Sequence, residues 1–172
     1  MKDYNLVFSK ETVEFTTVAK EFVAFLEAAK DFSYHRFIDT SIKILPLLYL
    51  KGSLIPLVTD YDEDYYEKFV TEADWSFIQQ VTAAKLGEHD EYVQVQDASL
   101  MNNVDFYNVS LSELFADLYQ DMGDYVAAYQ TANDELILSA LYYCKQNFET
   151  FWGIRLLILL QHLHRIKYMS NE

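Results

Sequence analysis

The sequence has few of the residues that break or cross-link a chain. It contains one cysteine, two prolines and four glycines among 172 residues. The single cysteine, Cys144, rules out an intramolecular disulfide framework and a metal site built from several cysteines, so we expect a small buried side chain. The scarcity of proline and glycine argues against a turn-rich all-β fold. Together these absences favour long helices and a reducing, cytoplasmic location.

Long apolar runs and an excess of basic residues are missing as well. The longest apolar run, Leu156–Leu160, is far shorter than the ~18 residues that a membrane span needs, and the N-terminal stretch does not resemble a signal peptide. The formal net charge of −14 repels nucleic-acid phosphates and anionic lipids. We therefore expect no nucleic acid and no membrane as partner. A protein partner and a cation are both compatible with this charge. A protein partner with a basic surface would be complementary to it.

Apolar residues are abundant: 51% of the sequence is hydrophobic and 16% is aromatic. This is too apolar for a disordered chain. The length suits one domain with a sizeable core. We predict a single domain over residues 1–172, present as a monomer or a weak homodimer.

Five segments carry apolar residues at steps of three and four, which predicts five amphipathic helices. A residue able to cap a helix precedes each of them: Ser9, Ser33, Thr71, Ser110 and Asn133. Pro46 predicts a kink or break in the second helix, and Gly87 is placed to end the third. The last helix is expected to reach about Tyr168. Its apolar residues surround the axis between Ile154 and Leu163, which predicts burial on several sides.

The helical pattern weakens between Glu88 and Val109. "HDEYVQVQD" alternates in part and fits either a short extended segment or an irregular turn, and we interpret "MNNVDFYNV" as a loop. Long ordered connections are often functional. The predicted fold class is all-α, an antiparallel bundle of about five long helices with an irregular connection before the fourth.

The stretch TDYDEDYYEKF, residues 59–69, has a carboxylate at every second position from Asp60. A calcium-binding EF-hand loop also needs glycine at its sixth position and glutamate at its twelfth. Here these positions hold Tyr65 and Thr71. We therefore predict an acidic connection that binds no calcium, with the tyrosines Tyr61, Tyr65 and Tyr66 folded back onto the bundle.

Three stretches occur together in order: "GEHDEYVQVQD", "SLSELFADLYQDM" and "NFETFWGIRLLILLQHLH". With their spacing, the chain from Phe32 to Leu163 resembles a bacterial all-helical family of unknown function. The resemblance implies a helical fold and a bacterial cytoplasmic origin, and it implies no reaction. Members of that family often flank the Trp-Gly pair with histidines. Here Phe151 and Arg155 stand there, so a histidine-dependent site would be altered.

Three carboxylates lie at four-residue steps on the predicted fourth helix: Glu113, Asp117 and Asp121. The helical wheel directs them mainly to solvent. As an alternative, Asp117 or Asp121 pairs with Arg155, which lies in the apolar last helix and would need a carboxylate partner if buried. Arg155 is then either half of an internal ion pair or the anchor of an anionic ligand.

The four histidines do not form a metal site in the sequence. No Glu-x-x-His pair of a di-iron bundle is present, and His162 and His164 point to different faces of one helix. His89-Asp90-x-Tyr92 is the best candidate site, since it lies in the irregular connection and His89 can titrate near neutral pH. Its simpler role is to cap the third helix and fasten the loop.

Neither a nucleophile elbow nor a glycine-rich phosphate loop is found. We therefore predict no catalytic residue, no metal and no cofactor. The leading hypothesis is a non-enzymatic protein-interaction module, because tyrosines and acidic helix surface are plentiful. The alternative is a small-ligand-binding bundle whose pocket lies between the last helix and the 88–109 connection. The candidate ligand-binding residues are His89, Asp90, Tyr92, Asp121, Trp152 and Arg155.

Overall fold

The computed structural model describes residues 2–96 and 105–169, with the backbone alone at 94–96 and 105–107. Six helices and one hairpin make up the fold. In chain order they are α1 (Lys10–Glu27), α2 (Tyr34–Ser53), α3 (Glu72–Leu86), β1 (Glu91–Gln96), β2 (Asp105–Ser110), α4 (Leu111–Gln130), α5 (Asp134–Asn147) and α6 (Gly153–Tyr168).

The predicted caps begin these helices. The side-chain oxygens of Ser9 and Ser33 accept the amide hydrogens of residues three further on, and Asn133 caps α5 in the same manner. Thr71 and Asp74 form a reciprocal capping box at α3. Each cap satisfies a backbone donor that the helix itself leaves unpaired. The local sequence therefore determines where the helices start.

The helices enclose a single hydrophobic core. The aromatic side chains of Phe15, Phe22, Phe37, Phe115 and Trp152 are fully buried in it. Helix α4 lies centrally, because it packs against α1, α3, α5 and α6. The predicted all-α bundle is confirmed. Among the described residues, no helix is both long and apolar enough to cross a lipid bilayer.

Pro46 does not end the second helix. Helix α2 continues through Pro46, so of the predicted kink or break the break is wrong. Pro46 is exposed, whereas Leu45 and Leu48 on either side of it are fully buried. Solvent can bond the carbonyl that loses its partner, and the packing of the two leucines maintains the helix.

The connection before α4 contains an antiparallel hairpin. Strand β2 pairs with β1 so that Tyr92 lies opposite Val109 and Val93 opposite Asn108. The loop predicted over 101–109 is therefore wrong for 105–109, and 101–104 lie outside the described residues. Aromatic and β-branched residues in "DFYNV" favour a strand, and the asparagines at 102 and 103 led to the loop interpretation.

The predicted last helix is divided by one wide turn. A π-helical turn, Phe148–Trp152, joins α5 to α6. A Cβ atom on Gly153 would collide with the carbonyl oxygen of Phe148, and a Cβ atom on Gly52 would collide with the indole of Trp152. The two glycines let this turn pack closely against itself and against the end of α2.

Helices α2 and α6 run antiparallel as neighbours. Asp39 near the start of α2 pairs with Lys167 at the end of α6, while Gly52 near the end of α2 meets Trp152 just before α6. Helix α6 packs against both α2 and α4, but the predicted burial does not extend to its outer side. Ile154 is 56% exposed and Leu157 is 40% exposed, because the outer side of this helix pair is left uncovered among the described residues.

Candidate functional site

Asp90 fastens the hairpin to the start of α4. Its carboxylate accepts the backbone N–H of Ser112 at 2.7 Å and the hydroxyls of Ser112 and Ser110 at 2.8 and 3.2 Å. Its carbonyl oxygen accepts the N–H of Leu111 at 2.8 Å. Four hydrogen bonds to one residue give Asp90 the fastening role that the sequence suggested for His89.

Tyr92 joins the hairpin to α6. Its ring lies against the imidazole of His162, with the ring centroids 3.9 Å apart and the ring planes tilted by 39°. Burial lowers the pKa of His162, and the nearby positive charge of Arg165 lowers it further. Both effects favour the neutral form of the imidazole beside the phenol ring.

Arg155 is paired. Its Nε donates to Oδ2 of Asp117 at 3.1 Å, and Oδ1 of Asp117 accepts the indole N–H of Trp75 at 3.1 Å. The guanidinium carbon lies 3.6 Å from the ring centre of Phe151. One of the two alternatives is thus observed, a pair between Asp117 and Arg155 that joins α3, α4 and α6. The ring of Phe151 therefore lies against this arginine.

Asp121 lies one turn after Asp117 in a different setting. It accepts a hydrogen bond from the amide of Asn147 at 2.8 Å. Burial, with a smaller contribution from the carboxylates of Asp124 and Asp117, raises the pKa of Asp121 to about 6 against the lowering effect of that hydrogen bond. Asp121 and Asp124 also border a groove of about 400 Å³ together with Tyr66 and Lys68.

Asp124 has a structural task in this groove. One of its oxygens accepts the backbone N–H groups of Phe69 and Val70, both at 2.7 Å. It thereby holds the end of the acidic connection against α4. Two tyrosines of that connection fold back as predicted: Tyr61 stacks on Tyr142, and Tyr66 contacts Tyr143 with the ring planes tilted by 38°.

Trp152 belongs to the core. Its side chain is fully buried and its indole N–H donates to the carbonyl oxygen of Cys144 at 3.0 Å. Cys144 is buried as predicted, and burial raises the pKa of its thiol. Trp152 therefore has no surface to offer a ligand.

His89 lies in a cleft between two helices. The cleft has a volume of about 380 Å³ and is bordered by α2 and the end of α6. Its lining residues are Tyr34, His35, Ile38, Asp39, His89, Ile166 and Lys167. It is near the predicted pocket, since it involves the last helix and the 88–109 connection, but Tyr92, Trp152, Arg155 and Asp121 are not among these residues.

The six predicted residues are therefore divided among several places. Asp90 and Tyr92 attach the hairpin, Arg155 and Asp121 occupy separate polar contacts of α4, Trp152 fills the core, and only His89 borders the cleft. Nowhere in residues 2–96 and 105–169 are three His, Cys, Asp or Glu side chains arranged to hold a metal ion.

An apolar surface was not predicted from the sequence. The outer sides of α2 and α6 expose five aliphatic side chains, and we call this set the α2–α6 surface: Leu47, Leu50, Leu54, Ile154 and Leu157. Their exposed fractions run from 40% to 56%. Because the helices are antiparallel neighbours, Leu47 and Leu50 lie level with Ile154 and Leu157. The only sequence signal was the apolar residues on all sides of α6.

Comparison with known proteins places the chain in a family. A family model, the domain of unknown function DUF5063, matches residues 6–169. The chain belongs to the DUF5063 family. This confirms the resemblance to an all-helical family of unknown function. No curated protein matches this DUF5063 chain.

A crystal structure supports the assignment. This DUF5063 protein is similar to protein BF1032 from Bacteroides fragilis, with 35% sequence identity and a TM-score of 0.85. The match covers 96% of this chain and 98% of that one. The two proteins therefore share the fold over nearly their whole length.

Proposed function

We propose that this protein is a cytoplasmic, non-enzymatic interaction module that binds another protein through the α2–α6 surface. The exposure of five large aliphatic side chains on adjacent helices supports the proposal. Scattered exposed leucines are ordinary, but a contiguous apolar patch is typical of a binding site. Apolar side chains exposed on two adjacent helices are suited to contact the apolar face of an amphipathic helix.

The partner can be captured from this surface. A photo-crosslinking amino acid at position 50, in cells that naturally contain the protein, is expected to give one discrete adduct that mass spectrometry identifies. The matched control places the same group at Glu21, which is exposed on α1. Equal adducts from both positions, or none from position 50, would contradict the proposal.

Binding by the purified partner then tests the contact directly. Leu50→Ser combined with Leu157→Ser is expected to weaken binding at least tenfold in calorimetry, because each loses apolar area at the interface. Both side chains are already exposed, so the free energy of unfolding should change little. Unchanged affinity would show that the crosslinked protein does not bind through the α2–α6 surface.

A second candidate function is binding of a small ligand in the cleft beside His89. Two imidazoles, a phenol and the Asp39–Lys167 pair provide donors and acceptors around about 380 Å³ of space. A fragment screen by NMR should perturb the imidazole signals of His35 and His89 together. Fragments that shift neither signal would remove this candidate.

A further inference from the structure

The charges of the protein are unevenly divided along the chain. Residues 32–59, which include α2, contain one acidic residue, Asp39, and the bases Arg36, Lys43 and Lys51. Residues 150–169, which include α6, contain no acidic residue. All but one of the 27 acidic residues thus lie outside the two segments that form the α2–α6 surface.

Some of the bases in these segments are neutralised by pairing. Lys167 pairs with Asp39, Arg155 with Asp117, and Lys51 with Glu14. Arg36, Lys43 and Arg165 are exposed, and none of them forms an ion pair with a residue of the described parts of the chain. Three positive charges that no carboxylate of the described residues neutralises therefore accompany the apolar side chains, and the guanidinium of Arg36 lies 4.4 Å from the ring centre of Phe32.

These charges lie on the same outer faces as the aliphatic side chains. On α2, Lys43 precedes Leu47 by four residues and Arg36 precedes Lys43 by seven, so all three follow one side of the helix. On α6, Arg165 follows Ile154 by eleven residues, three turns along the same side. Because the helices are antiparallel, the three bases share one end of the surface and the leucines occupy the other.

We infer that the α2–α6 surface receives an acidic amphipathic helix of the partner protein. This inference rests on the proposed function. Apolar residues of that helix at i, i+4 and i+7 would cover Leu47, Leu50 and Leu54, while carboxylates two or three turns away would meet Arg36, Lys43 and Arg165. The span from Arg36 to Leu54 is about 27 Å at 1.5 Å per residue, so a helix of roughly 18 residues covers it.

The charge pattern favours this occupant over others. A second copy docked by the same face would place its three bases against these three in a parallel contact and against the leucines in an antiparallel one, so neither symmetric contact supplies a counter-charge. An extended anionic membrane would be repelled by the −14 net charge of the whole protein. An acidic helix is attracted at this surface and repelled elsewhere, which directs it to one site. The partner expected from net charge alone was basic, whereas this surface selects an acidic one.

A designed peptide tests the inference with the full chain. The probe is a fluorescein-labelled 20-residue helical peptide with leucines at i, i+4 and i+7 in one half and three glutamates along the same face of the other half. Its comparator has lysines in place of the glutamates. By fluorescence anisotropy at 50 mM salt, the glutamate peptide is expected to bind at least tenfold more tightly. The difference should shrink at 300 mM salt, because salt screens exposed charges.

Charge reversal provides the decisive variant. Arg36→Glu with Lys43→Glu and Arg165→Glu is expected to reverse the preference toward the lysine peptide. The matched control reverses three exposed lysines elsewhere, Lys10→Glu with Lys20→Glu and Lys30→Glu, and should preserve the preference for the glutamate peptide. Circular dichroism at 222 nm is to show that both variants are folded.

The outcomes separate the inference from the proposed function. If both peptides bind equally and Leu50→Ser weakens the binding of both, the surface does bind a helix, but the inference that this helix is acidic is wrong. If neither peptide binds at 1 mM, the inference is wrong, and the adduct from position 50 decides the proposed function alone. Two further results would overturn the inference that the occupant is an acidic helix. One is dimerisation of the chain that is lost in Leu50→Ser. The other is binding to vesicles with 30% phosphatidylserine that is lost when Arg36, Lys43 and Arg165 are reversed.

Discussion

Arg155 on α6 and Asp117 on α4 form an ion pair at 3.1 Å, with about a third of the arginine side chain and a quarter of the aspartate side chain exposed. The same carboxylate also accepts the indole N–H of Trp75 on α3. Three helices are thus held at one carboxylate. The pair was one of the two alternatives that the sequence left open for Arg155.

Arg155→Met should destabilise the fold by roughly 1–2 kcal/mol, because Asp117 would remain half-buried without its positive partner. Urea unfolding measures this change. The control Lys10→Met breaks the exposed pair with Glu14 at 4.0 Å and should have no measurable effect. The double variant Asp117→Asn with Arg155→Met should cost less than the sum of its single changes, and simple additivity would contradict the pairing.

Asp121 should make stability depend on pH in the acid range. Burial raises its pKa to about 6 from an ordinary 3.8, so between these values the folded state holds a proton that the unfolded state has lost. Stability therefore falls as pH rises from about 4 to about 6, and the loss is complete above that. Asp121→Asn should stabilise the protein at pH 7.5 by on the order of 1–3 kcal/mol, and this gain should disappear at pH 4.

Thermal unfolding at the two pH values checks this sign. The control Glu113→Gln changes an exposed carboxylate on the same helix and should show the same effect at both. If Asp121→Asn were equally destabilising at pH 4 and pH 7.5, the raised pKa would be ruled out.

Asp90→Ala should loosen the hairpin without unfolding the bundle. The variant loses the carboxylate that accepts the N–H of Ser112 and the hydroxyls of Ser112 and Ser110. Amide hydrogens of β1, β2 and Ser112 are expected to exchange at least tenfold faster, since local opening becomes easier. Amides in the middle of α4 should keep their rates. Glu91→Ala, the exposed neighbour, should alter neither set, and equal protection in both variants would argue against the fastening role.

Millimolar calcium should leave the melting temperature unchanged. The carboxylate of Asp62 accepts the N–H of Asp64 within a short helical turn, Glu63–Tyr65, and its other oxygen lies 3.8 Å from the ammonium of Lys2. A specific site would stabilise the folded state in proportion to its occupancy. A rise of several degrees with calcium and none with magnesium would show that the acidic connection does bind calcium.

The sequence predicted the parts of the fold that depend on nearby residues. Caps at Ser9, Ser33, Thr71 and Asn133 are decided within four residues, so each could be identified from its own segment. Burial of Cys144 also followed from its apolar surroundings. The strand at Asp105–Ser110 was missed because its ladder depends on a partner strand fourteen residues earlier in the chain, and such pairing leaves a weak local pattern.

The candidate site was predicted less well, for a different physical reason. His89, Arg155 and Asp121 could be named as candidates from the sequence, but which side chains meet depends on how helices are rotated against one another. The exposure of Ile154 and Leu157 illustrates this, since apolar residues around α6 fit both burial on every side and an uncovered face. Periodicity alone does not separate these two cases.

Gly52 and Trp152 fill one space between them, because any side chain on Gly52 would overlap the indole. The two positions cannot change independently without opening a cavity or forcing a clash. Across relatives of this protein, we therefore expect correlated substitution: a larger residue at position 52 should accompany a smaller ring or an aliphatic side chain at position 152. An aligned set of DUF5063 sequences would then contain this contact as a covarying pair, a record of α2–α6 packing in sequence alone.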